Sequence, residues 1–85
     1  MSMTGSEWVG RLAGELGVEP PTPEETDALL ALAGVAAHRS ERTAAPLSTW
    51  LAGRAGVSPA EAKAAAGRLA AALDAEDGSR AGPST

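Results

Sequence analysis

Two four-residue stretches, TPEE at Thr22–Glu25 and SPAE at Ser58–Glu61, limit the fold more than any other feature of the chain. Each sets a hydroxyl side chain three residues before a glutamate, so the hydroxyl can accept from the glutamate N–H while the carboxylate accepts from the opening N–H. Proline sits at the first helical position, where a missing N–H costs nothing. Both stretches therefore start helices. After the first, Leu29, Leu32 with Ala33, and Ala36 continue at helical spacing; after the second, Ala62, Ala66, Leu69 and Leu73 do the same. Ser6 is positioned to cap an earlier helix carrying Trp8, Leu12 and Leu16 on one stripe, with Val9 and Ala13 beside it. Gly17 supplies its left-handed stop, Val18 can pack back, and Pro20–Pro21 stiffen the link that follows. The second helix should end near Arg39–Glu41, and a short third one should run from near Pro46 to Gly56. Strand signals are absent. The expected architecture is all-α, a small four-helix domain over residues 6–74, with a flexible N-terminus at 1–5 and a disordered tail at 75–85 that is rich in Gly, Ser and acidic residues.

A chain of 85 residues supports one small core. The expected core is a thin set of large apolar residues, led by Trp8, Leu12, Leu16, Leu32, Val35, Trp50, Leu69 and Leu73 and padded with alanine. With no cysteine and a single histidine, neither a disulfide nor a Cys/His zinc site can staple it, and no metal or cofactor is expected. Self-association or docking is the remaining route to stability. Ala60, Ala64, Gly67 and Ala71 sit three or four apart in the fourth helix, so another helix could approach there and form a homodimer, although high helix propensity alone accounts for the pattern.

The formal net charge of −4 disfavours non-specific attraction to nucleic acid or to anionic membranes. No basic segment precedes an apolar run at the N-terminus, and no window approaches the length of a membrane span. The expectation is a cytoplasmic protein, and the lack of cysteine fits a reducing compartment. Catalysis has no support: Cys–His chemistry is excluded, no strand or elbow presents a serine to the lone His38, and the carboxylates are scattered. The glycine runs also lack the strand context of a phosphate loop.

Two constellations remain. Trp50 to Leu69 has the outline of a helix-turn-helix, with Ser58, Lys63 and Arg68 as the residues a DNA reader would use. The presumed recognition helix, however, offers no Asn, Gln or Arg near its start to pair with a base edge. The other constellation is VAAHRSERTAAPLSTW, Val35–Trp50, which gathers the only histidine, two arginines and one of the two tryptophans. Residues 38–54 carry Arg39, Arg42 and Arg54 against Glu41 alone, a basic patch on an acidic chain. If the second helix persists, His38 and Arg42 share a face at its C-terminal end, where each could simply serve as a cap. Facing the start of the next helix, with Ser48 and Thr49 hydroxyls beside Trp50, they would form an anion or partner site: His38, Arg39, Arg42, Ser48, Thr49 and Trp50.

Along Trp8–Leu73 the chain resembles a small uncharacterised actinobacterial helical family, found free-standing and appended to molybdenum cofactor guanylyltransferase-like (MobA-like) proteins. The marks are Trp8, the Leu29–Leu30 pair with Ala33, His38 after two alanines, and Ala45-Pro46-Leu47-Ser48 before an aromatic. Arg39-Ser40-Glu41 and the acidic, glycine-containing tail depart from it. The resemblance implies association with molybdenum cofactor biosynthesis by context and not by chemistry. The expected function is a non-catalytic accessory or interaction module with a protein partner, such as a molybdenum cofactor guanylyltransferase, at the His38–Trp50 junction. A helix-turn-helix transcriptional regulator is the alternative.

Overall fold

The computed structural model describes the backbone of residues 3–81 and the side chains of residues 3–76. Four helices follow one another: α1 Gly5–Leu16, α2 Pro23–Arg39, α3 Ala44–Ala55 and α4 Pro59–Ala81. There is no strand among the described residues. Both expected capping boxes form, with Thr22 Oγ1 accepting from Glu25 N–H and Ser58 Oγ from Glu61 N–H, each at 3.1 Å, and each glutamate accepting the opening N–H in return.

A third box opens α1. Its cap is Thr4 and not Ser6: Thr4 Oγ1 accepts from Glu7 N–H at 3.1 Å, and Glu7 accepts from Thr4 N–H at 3.0 Å. The first helix therefore begins inside the segment expected to be flexible; residues 1 and 2 lie outside the described residues. At its other end Gly17 adopts φ 70°, Val18 N–H donates to Ala13 C=O at 2.9 Å, and Gly17 N–H donates to Gly14 C=O at 3.2 Å. That pair of bonds is a Schellman stop, and only glycine takes its left-handed position without strain. Gly56 closes α3 in the same conformation, with φ 72°.

Two other boundaries differ from the sequence reading. α3 starts at Ala44, because proline is tolerated anywhere in the first turn and Pro46 does not have to lead it. α4 runs on to Ala81, through much of the expected tail; its alanine-rich body is a strong helix former, and a single Gly78 lowers the helical preference by only about 1 kcal/mol. Residues 82–85 lie outside the described residues.

α2 is the central element, packing against α3 on one side and α4 on the other, while α1 takes little part in the packing. The helices meet at Leu32, Ala52 and Ala62, with Ala66 against them. Here the structure corrects the expected core. Leu32 is its one large residue, 7% exposed, and its other members are alanines; Trp8, Leu12, Leu16, Trp50 and Leu69 are all exposed. The small side chains let α2, α3 and α4 approach closely; Trp50 projects outward from α3, while the exposed Leu51 and Leu69 and the half-buried Val35 and Leu73 line an open cavity between the three helices. The seam Ala60, Ala64, Gly67 and Ala71 is exposed too, on the opposite side of α4 from Ala62 and Ala66. Among the described residues no helix is long and apolar enough to cross a membrane.

Candidate partner-docking site

The junction between α2 and α3 is a short turn. Ser40 ends α2, donating both its N–H (3.1 Å) and its Oγ–H (2.8 Å) to Ala36 C=O. This cap stops the helix at Arg39, so Arg42 falls in the turn and does not share a helical face with His38; that part of the sequence reading is corrected. His38 and Arg39 occupy the last turn of α2, where the negative end of the helix dipole favours cations. His38, Arg39 and Arg42 are all exposed.

Arg39 reaches across to α4. Its two guanidinium Nη atoms donate to the two carboxylate oxygens of Asp74, the second at 3.0 Å. The hydrogen bonds from Arg39 hold the Asp74 carboxyl below the usual carboxylate range, partly offset by loss of solvent. Arg39 thus ties the C-terminal end of α2 to the second half of α4.

The start of α3 offers few donors. Thr43 makes no side-chain cap, Ala44 N–H donates to Glu41 C=O at 2.9 Å, Ala45 N–H donates to Arg42 C=O at 3.1 Å, and Pro46 has no N–H. A helix start attracts an anion through unpaired N–H groups, and the turn has already engaged those of the first two residues. Thr49 Oγ–H likewise donates back to Pro46 C=O at 2.8 Å.

Helical rotation divides the expected site residues between two faces. Ser48 and Arg39 line an apolar cavity of about 570 Å³ between α2, α3 and α4. Thr49 and Trp50 line a separate, shallow depression with Gly53 and Arg54. There the Arg54 guanidinium lies 5.2 Å from the centre of the Trp50 ring, a cation–π contact. Arg54 was missed as a partner of Trp50, although an aromatic and an arginine four apart on one helix are neighbours. Leu47, Trp50, Leu51 and Arg54 follow the i, i+3, i+4, i+7 pattern of one helix face, and the three apolar members are each more than half exposed.

The residues a DNA reader would use are dispersed. Ser58 is engaged as a helix cap, Arg68 lines the apolar cavity, and Lys63 lies about 140° around α4 from Arg68. Among the described residues no group of three or more His, Cys, Asp or Glu side chains is placed to hold a metal ion.

Residues 2–81 match the family model described as "Domain of unknown function (DUF6457)". No curated protein and no solved structure matches the chain.

Proposed function

We propose, from the premise that this chain belongs to the DUF6457 family, that it is a non-catalytic interaction module whose partner-binding face is the outer side of α3. The observation that carries this reading is the Trp50–Arg54 pair: a tryptophan 60% exposed with a guanidinium across its ring, flanked by exposed Leu47 and Leu51. Tryptophan and arginine are the residue types that dominate binding energy at protein interfaces, and an exposed apolar face with a basic edge suits a partner that brings an apolar pocket rimmed by carboxylates. His38 at the end of α2 and Arg42 in the turn before α3 add exposed basic groups at the junction that precedes this helix. Following the sequence resemblance, the partner class we assign is a molybdenum cofactor guanylyltransferase-like protein, met in the cytoplasm.

The test is a titration of the purified chain with such a guanylyltransferase, read by calorimetry. Trp50→Ala should weaken binding by about 30-fold or more, and Arg54→Ala by less. Full-strength binding by the Trp50 variant, or no binding by the natural chain, would overturn the assignment. Titration with a nucleotide tests the anion alternative: shifts of the Leu47–Trp50 amides that Arg42→Ala diminishes would favour it over a protein partner.

A further inference from the structure

Two apolar surfaces of this chain are held apart on the same molecule. One is the α1 stripe of Trp8, Val9, Leu12 and Leu16, whose exposures run from 41% to 66%. The other is the cavity between α2, α3 and α4, walled by Val35, Leu51, Leu69 and Leu73 over a floor of Ala62 and Ala66. A helix with large side chains at i, i+4 and i+8 and a groove with an alanine floor are complementary in shape. Their charges are compatible as well, the cavity lining carrying Arg39 and Arg68 against Glu61. Glu15 lies about 20° around α1 from Trp8 and borders the stripe, and Arg68 stands on the cavity wall.

The chain is built so that α1 does not fill its own groove. Gly17 fixes the exit from α1 in a left-handed turn, and Thr22 is already committed as the cap of α2. Between them Pro20 and Pro21 lock φ and keep the residue before each extended. The link is a stiff spacer.

The exposed area says how much is left to cover. A folded monomer of 8.4 kDa exposes about 4,600 Å² by the usual scaling, whereas this chain exposes 6628 Å². That total includes the termini outside the described residues; the rest of the excess includes the exposed apolar side chains of α1, α3 and α4, the kind of surface a homodimer buries.

We infer that two copies of this chain exchange their α1 helices, each laying Trp8, Leu12 and Leu16 into the α2–α3–α4 groove of the other around a two-fold axis. The contact is self-complementary, because every copy carries both the helix and the groove, and the pair closes without leaving either face open. The groove shares Leu51 with the Trp50–Arg54 face and is otherwise lined by other residues, so Leu12→Asp and Trp50→Ala test the two assignments separately.

The chain has no cysteine, which makes disulfide trapping clean. Leu12→Cys protein mixed with Ala66→Cys protein and oxidised should give a covalent heterodimer. Sedimentation equilibrium of the natural chain should give a dimer whose dissociation constant rises by about 100-fold in Leu12→Asp. Helicity should be kept in that variant, since α1 takes little part in the packing. A monomer at all concentrations would overturn the inference. So would a dimer that survives Leu12→Asp, or a chain carrying both cysteines that closes on itself as a monomer. A dimer trapped instead through Gly67→Cys would move the contact to the small-residue seam of α4 and likewise refute the exchange.

Discussion

Three hydroxyl–glutamate boxes and two left-handed glycines set where the helices begin and end, and each is a local device whose removal has a local cost. Thr22→Ala and Ser58→Ala should each destabilise the protein by about 1 kcal/mol in urea unfolding, and Gly56→Ala by about 1–2 kcal/mol, because alanine is strained at φ 72°. The carboxylates in two of the boxes add a pH dependence. Glu7 and Glu61 are held below the usual carboxylate range, chiefly by the backbone N–H groups of Thr4 and Ser58 and further by their hydroxyls, and Asp74 by Arg39. A carboxyl whose pKa is lower folded than unfolded stabilises the fold at neutral pH, above its unfolded value of about 4. That contribution is lost as pH falls through the folded value. Helicity followed by circular dichroism should therefore decline on acidification below that range. Glu61→Gln, which keeps the box but cannot titrate, should show a smaller decline. The Thr22 and Ser58 boxes were legible in the sequence because proline marked them. The Thr4 box carried the same spacing in TGSE, but Ser6 stood nearer the apolar stripe and masked it.

At the scale of the element, helical periodicity located all four helices but not the faces they bury. Spacing places Trp8, Leu12 and Leu16 on one stripe and Ala62 and Ala66 on another, yet which stripe meets a neighbour depends on how closely the axes approach. Here α2, α3 and α4 meet through alanine, so Leu51 and Leu69 stay exposed along the cavity between them and Val35 and Leu73 only half-buried. Leu32 is the exception, and Leu32→Ala should cost roughly 2–5 kcal/mol, enough to unfold a chain with so thin a core, whereas Leu30→Ala, at an exposed position of the same helix, should change stability little. Denaturation midpoints of the two variants check the ranking. The helix-turn-helix outline of α3 and α4 also has its test at this scale. With Lys63 and Arg68 on different faces and Ser58 engaged as a cap, selection from a random DNA pool should enrich no sequence, and recovery of one salt-sensitive site would promote the regulator reading. The candidate site was partly legible. The sequence brought Trp50 and the arginines together, but it could not show that the Ser40 cap would drop Arg42 into the turn, or that the turn would engage the first N–H groups of α3.

Among the described residues the molecule is four helices, three of them joined through one leucine and a set of alanines, with most of the large apolar side chains left open to solvent. Such a chain is locally well specified and globally uncovered, and small domains without disulfide or metal commonly gain their remaining stability from association. The α1 exchange and the Trp50–Arg54 face divide that outward surface into a self-contact and a partner contact. The central claim, that this fold is completed by a second copy, is tested most directly by urea unfolding of the natural chain at two protein concentrations about 100-fold apart. When folding and association are coupled, the midpoint must rise with concentration by mass action, and that rise is the expected result. A midpoint that stays the same at both concentrations would mean that the single chain folds to its full stability alone, and would contradict the account.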